Sequence, residues 1–117
     1  MVLLFLHSGE TNELPILYLQ YWLKLRGFKT LNIGQNISAD QLAIITRHIQ
    51  PSYLITYLGK KQNYSDLTSF VKSLRSSAEA TLFISIENDL NLGIESPWYL
   101  HLSRVSDVVE FMNEKIN

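Results

Sequence analysis

Val2-Leu3-Leu4-Phe5-Leu6, followed by His7-Ser8-Gly9-Glu10-Thr11-Asn12-Glu13, is the stretch on which the fold turns. The apolar run shows no period-two alternation, as expected of a strand covered by helices on both faces. The polar turn behind it falls where an open parallel sheet keeps its binding crevice. Gly9 permits a tight turn, and Asn12 is the expected N-cap of the next helix. Glu13 is expected in that helix's first turn, where negative charge suits the dipole. Pro15 fits there too, because first-turn N–H groups have no intrahelical acceptor.

The helix that follows, from about Glu13 to Arg26, carries two apolar stripes at helical spacing. Ile16, Leu19 and Leu23 form one face. Leu14, Leu17, Tyr18, Tyr21 and Leu25 form a second, nearly opposite, with Trp22 between them. A helix apolar on both sides needs cover beyond the sheet it packs on. Either it is wedged deep within its own domain, or a partner docks on the outer stripe through Trp22 or Tyr18, residue types favoured as interface anchors. The expectation is the partner: a homodimer through the helix Glu13 to Arg26.

Outward from this unit, Gly27 stands where a left-handed C-cap belongs, and Phe28 to Ile33 reads as a second strand ended by Gly34. Ser38-Ala39-Asp40-Gln41 is a capping box opening helix two. Leu42, Ile45 and Ile49 are its expected buried stripe, with Arg47, His48 and Gln50 in solvent. Pro51 stops that helix, and Tyr53 to Leu58 is strand three. After the polar loop Gly59 to Asn63, helix three is expected from about Tyr64 to Ser76, and strand four from Thr81 to Ile86. Glu87 to Pro97 has no helical stripe, so the helix due between strands four and five is expected to be reduced or absent. Trp98 to Leu102 reads as an edge strand. Ser103 or Ser106 is expected to open a last helix packed through Val108, Val109, Met112 and Ile116.

At 117 residues the chain is one domain, residues 1–117, large enough for a real core. Alternating strands and helices with short connections argue for an α/β, flavodoxin-like or Rossmann-like three-layer sandwich. The expected sheet is parallel and five-stranded, in the order 2-1-3-4-5. Its crevice would lie over the carboxyl ends of strands one and three, so Ser8 to Asn12 should face Thr56 to Lys60. Formal charge is −1, and the basic residues are scattered. The chain by itself is therefore a poor candidate for gripping nucleic acid, and DNA contact would need a domain not present in it. The chain has no cysteine, so it has no thiolate metal site. No leader and no bilayer-length apolar run is evident, which makes cytoplasmic the expectation, with no membrane partner.

A phosphoacceptor receiver would need an acid at the end of strand three, where Thr56-Tyr57-Leu58 offers none. Ser8, Gly9, Thr11 and Asn12 could meet a phosphate at a helix N-terminus, but Glu10 would repel it. His7, His48 and His101 lack partners at metal-ligand spacing. Ser8 beside His7 lacks the glycine-flanked elbow of a hydrolase. Neither catalytic nor metal-ligating residues are assigned, and the chain is not expected to be an enzyme.

Gly9-Glu10-Thr11-Asn12-Glu13-Leu14-Pro15, the helix ending Leu25-Arg26-Gly27-Phe28-Lys29, and Leu31-Asn32-Ile33-Gly34-Gln35-Asn36-Ile37 together resemble the cobalamin-binding domain. The likeness is to the version at the C-terminus of MerR-type transcription regulators, where Gly-Glu-x-His-Glu-x-Gly opens the helix. It is good from about Val2 to Leu58. The resemblance implies the same fold, a corrinoid as ligand, and a histidine as lower axial donor to cobalt. Asn12 matches that histidine, Glu10 the acid that orients it, and Pro15 the following glycine. Tyr57 matches a small hydroxyl residue lining the tunnel for the cofactor's nucleotide tail, and Ile86 and Glu87 match a glycine pair. These departures remove an imidazole and add bulk, so the expectation is a module without cobalamin. Ser8, Glu10, Thr11, Asn12, Thr56 and Tyr57 are then the residues of an altered crevice. The expected role is a regulatory effector or oligomerisation domain of a MerR-like regulator. The alternatives are a sensor for cobalamin or another small molecule, and a cobalamin-carrying subunit of a mutase or methyltransferase.

Overall fold

The computed structural model describes residues 1–58, 68–73, 81–87 and 98–115. In chain order the elements are β1 (Val2–Phe5), α1 (Leu14–Leu25), β2 (Thr30–Asn32), α2 (Ala39–Ile49) and β3 (Tyr53–Leu58). A helical stretch at residues 68–73, here α3, precedes β4 (Leu82–Glu87), β5 (Tyr99–Leu102) and α4 (Val105–Glu114). All strand pairs are parallel, and the sheet runs β2-β1-β3-β4-β5. The expected strand order is thus the observed one, and the order reverses between β1 and β3. The expected helix from Tyr64 to Ser76 is described at residues 68–73 alone. The segment expected to lack a helix, between β4 and β5, lies outside the described residues at 88–97.

The sheet separates two apolar clusters. On one side Leu3, Phe5, Leu54, Leu58, Phe83 and Tyr99 pack with Leu42 of α2 and Phe70 and Val71 of α3. On the other, Val2, Leu4, Leu6, Ile55, Ile84 and Ile86 pack with Ile16, Leu19 and Leu23 of α1 and Val108 and Met112 of α4. Successive strand residues point to opposite faces, so β1, apolar throughout, feeds both clusters. Its four residues are all buried, as a strand covered on both faces requires.

The helix ends follow the sequence closely, with corrections. Ser38 and Gln41 form the expected capping box: the serine Oγ accepts from the Gln41 N–H at 3.2 Å and the glutamine Oε1 from the Ser38 N–H at 3.0 Å. Gly27 has φ +89°; its N–H donates to the Lys24 carbonyl, and that of Phe28 donates to the Leu23 carbonyl. That pair of bonds is a Schellman closure, which needs a residue at positive φ. At the start of α1 the N-cap is Glu13, not Asn12, and the helix has no acid in its first turn. Asn12 still serves the helix end, its Oδ1 accepting from the Leu14 N–H at 3.4 Å, while Glu13 Oε2 accepts from Gln35 Nε2 at 2.7 Å. The last helix is capped by Arg104, not by a serine, because the Asp107 carboxylate reaches back to the Arg104 N–H. The second strand is shorter than expected, Thr30–Asn32, and strand four is displaced by one residue.

In α2 the buried residues are Leu42 and Thr46, with Ile45 and Ile49 half-buried. Thr46 tolerates complete burial because its hydroxyl donates to the Leu42 carbonyl at 2.9 Å. Arg47 and His48 are exposed, as expected.

The two stripes of α1 have opposite fates. Ile16, Leu19 and Leu23 are buried, whereas Leu14 is 72% exposed, Tyr18 58%, Tyr21 65% and Leu25 66%. Trp22 is half-buried, packs against the α1/α4 cluster, and has the Arg26 guanidinium over its ring at 5.2 Å. It is therefore a flank of the outer stripe, and Tyr18 and Tyr21 are its open aromatics.

Candidate functional site

The crevice of an open α/β sheet forms where neighbouring strands send their connections in opposite directions, which here is between β1 and β3. Its floor is fixed by backbone bonds. The Leu6 N–H donates to the Gly34 carbonyl, the Ile37 N–H to Leu6, and the Ser8 N–H to Ile37. The loops after β1 and β2 are thereby joined beyond the ends of their strands, with His7 and Ile37 bridged in parallel. The Glu10 N–H donates to the His7 carbonyl at 3.0 Å, closing a turn in which Gly9 takes φ +93°. A side chain at that position would be strained.

Ser8, Glu10, Thr11 and Asn12 lie together on this loop but differ in access. Thr11 and Asn12 are exposed, Ser8 is half-buried, and Glu10 is drawn in to 4% exposure beside His7 at 3%. Thr56 is brought next to β1, in register with Phe5, but its fully buried hydroxyl donates to the Phe5 carbonyl at 2.9 Å. Tyr57 faces the other way, against the α1/α4 cluster. Thr56 and Tyr57 therefore do not line one crevice: adjacent strand residues occupy opposite faces of the sheet. Gly59 and Lys60, expected across from the loop, lie outside the described residues. Of the positions matched to the glycine pair, Ile86 is buried on the α1/α4 side.

A polar layer not evident from the sequence runs across the α2/α3 side of the sheet. Thr56, Ser85 and His101 are in register across β3, β4 and β5. Ser85 Oγ lies 2.6 Å from the Tyr99 hydroxyl, both residues being buried. The available signal was Ser85 itself, a hydroxyl inside the apolar run Leu82-Phe83-Ile84-Ser85-Ile86, which requires a partner when buried. Tyr99→Phe and Ser85→Ala are each expected to cost about 1 kcal/mol, because each removes this buried hydrogen bond. The double variant should cost less than their sum, as measured by urea unfolding of all four members of the cycle. Strict additivity would mean that the two groups do not share a bond.

As a donor set, the loop presents an amide at Asn12, engaged at its own helix end, and no imidazole at that position. His7 is on the strand side of the turn and buried, and His48 is on the exposed face of α2, its Nδ1 2.9 Å from the Ile44 carbonyl. No cluster of three metal-ligating side chains occurs among the described residues. No described helix is long and apolar enough to cross a membrane.

The strand order, the parallel pairing and the switch-point loop together define a flavodoxin-like α/β domain. No family model matches the chain, and no curated protein matches it in sequence. Among solved structures it is similar to a cobalamin-binding protein from Desulfitobacterium hafniense DCB-2. That match has a TM-score of 0.78 and 11% identity, over 97% of this chain and 57% of that one. It is also similar to the methanol:cobalamin methyltransferase complex MtaBC from Methanosarcina barkeri. Here the TM-score is 0.81 and the identity 11%, over 98% of this chain and 45% of that one. The isolated REC domain of RcsB from Salmonella enterica serovar Typhimurium gives a TM-score of 0.62 and 14% identity, over 97% of this chain and 86% of that one. This chain spans about half the length of the two cobalamin proteins. At such identities the likeness establishes the fold, which cobalamin binders and a signal receiver have in common.

Proposed function

We propose that this chain is a non-enzymatic regulatory module built on the cobalamin-binding fold, its crevice no longer fitted to the corrinoid. The reading rests on Asn12. At the position where the resemblance places an imidazole, an amide oxygen accepts a hydrogen bond from the N–H of Leu14. An amide is a poor donor to cobalt beside an imidazole, and this one is already engaged in closing α1. Glu10, matched to the acid that would orient the histidine, is folded inward to near-complete burial. Pro15 occupies the first turn of α1 in place of the motif's glycine. The Thr56 hydroxyl is committed to the Phe5 carbonyl.

The likeness of residues 9–37 to the C-terminal domain of MerR-type regulators supports an effector role, coupled to DNA through a separate DNA-binding unit. The charge balance agrees with that division. With ten Lys and Arg against eleven Asp and Glu, this chain carries no net positive charge with which to neutralise phosphates.

A small-molecule receptor for a different ligand is the second reading, favoured by the burial of His7 and Glu10, two titratable groups at the switch point. Two experiments separate the readings. Titration with hydroxocobalamin, followed by its visible spectrum, is expected to leave the spectrum unchanged, and a stoichiometric shift would overturn the proposal. In parallel, thermal melting against a panel of nucleotides and metabolites distinguishes a receptor, because a ligand that binds only the folded state raises the melting temperature.

A further inference from the structure

The outer stripe of α1 has a property that its exposure alone does not convey. Leu14, Tyr18, Tyr21 and Leu25 are spaced four, three and four residues apart, which places them in one seam along the helix. Both spacing and residue type read the same from either end: Leu, Tyr, Tyr, Leu. A seam with that symmetry matches a second copy of itself running antiparallel, about a two-fold axis passing between the two helices at the level of Leu19 and Gln20. Leu14 then meets Leu25 of the second copy, and Tyr18 meets Tyr21, each contact occurring twice, as an isologous interface requires.

The flanks agree with the same register. Leu17, 42% exposed, borders the seam on one side, and half-buried Trp22 borders it on the other. Glu13 and Lys24 are both exposed, lie on the same flank, and stand at opposite ends of the helix. Antiparallel pairing brings Glu13 of each copy within reach of Lys24 of the other. It also opposes the two helix dipoles. A parallel two-fold pairing would carry this flank to opposite sides of the interface and leave neither charge a partner across it. The open apolar residues of the stripe expose on the order of 600 Å², at the top of the range for an ordinary monomer's largest patch and close to the ~800 Å² per partner of a standard interface.

We propose that the outer face of α1 is the docking surface for a second copy of this chain, in an antiparallel, two-fold arrangement centred between Leu19 and Gln20. The inference stands apart from what the crevice binds, so the cobalamin titration and the tests below fail independently. Sedimentation equilibrium of the whole chain at high-micromolar concentration is expected to give twice the chain mass. A monomer there would overturn the proposal and leave the stripe to another protein or to a membrane surface. Tyr18→Glu is expected to give a monomer whose circular dichroism matches the unaltered chain.

The register has its own test, made clean by the absence of cysteine. Under mild oxidation, Tyr18→Cys mixed with Tyr21→Cys is expected to yield a covalent dimer containing one of each, several-fold more than either variant alone. Cross-linking of each variant mainly to itself would indicate parallel helices and overturn the arrangement. Glu13→Lys and Lys24→Glu should each weaken the dimer, and the double exchange should restore it, which damage to a single chain would not do.

Discussion

Leu19→Asp is expected to abolish cooperative folding, whereas Tyr18→Asp, one residue away on the same helix, is expected to leave the fold intact. Leu19 is fully buried against the sheet, among Leu4, Ile16, Leu23, Ile55 and Met112. A carboxylate there would lose its water and gain no cation, a cost of several kcal/mol even after partial protonation, set against a typical domain stability of about 5–15 kcal/mol. Tyr18 is 58% exposed, so aspartate in its place keeps its hydration and changes helix propensity by about 0.5 kcal/mol or less. Circular dichroism and urea unfolding of the pair provide the check. If both variants unfold, α1 is not open on its outer side. If both fold, its inner side is not the core.

Phe83→Ala is the second large effect, expected to cost about 3–5 kcal/mol. Phe83 sits on a central strand at zero exposure, and three aromatic rings surround it. Its centroid is 6.3 Å from that of Phe5, nearly edge-on at 76°, 6.4 Å from Phe70 and 5.6 Å from Tyr99. Truncation removes the ring's own burial and three edge or tilted contacts, and it opens a cavity lined by rings from three separate elements. Such a lining collapses poorly, because each neighbour is held by its own strand or helix. Thermal melting should fall by well over ten degrees for a domain of this size. A loss near 1 kcal/mol would mean that the α2/α3 side of the core is loosely packed.

These two residues also mark how far the sequence could be read. Helical spacing alone puts Leu19 and Tyr18 on opposite faces of α1, because a period of 3.6 residues sorts side chains by angle with no reference to the rest of the molecule. The capping box at Ser38 and the turn at Gly27 were equally local, each needing a few residues in a set pattern. The end of α1 nearest the crevice was less legible. By residue type Asn12 is the cap and Glu13 a first-turn acid, yet the structure puts Glu13 at the N-cap. The neighbour that engages the Glu13 carboxylate, Gln35, is twenty-two residues away.

The candidate site divided along the same line. Ser8, Glu10, Thr11 and Asn12 are legible as one loop because they fall in a single short polar segment, and its place behind a doubly covered strand sets that loop at the mouth of the sheet. The inward turn of Glu10 was not legible, since burial of a loop carboxylate depends on what lies over it. Thr56 and Tyr57, both expected in one crevice, are strand neighbours that alternation sends to opposite sides, and the structure places them so.

The amino-acid sequence by itself determined the order of the elements, the doubly covered first strand, the parallel architecture and the two-sided first helix. Each follows from periodicity, from turn chemistry, or from the rule that parallel strands are joined by crossover helices, which cover both faces of the sheet. Only the tertiary structure decided which polar groups meet: Thr56 with the Phe5 carbonyl, Ser85 with Tyr99, and His101 alongside them in the same row. The physical reason is register. Alternation along one strand says which residues share a side, but their neighbours on the next strand are set by the hydrogen-bonded ladder between them, and a slip of one residue would turn every such partner to the opposite face.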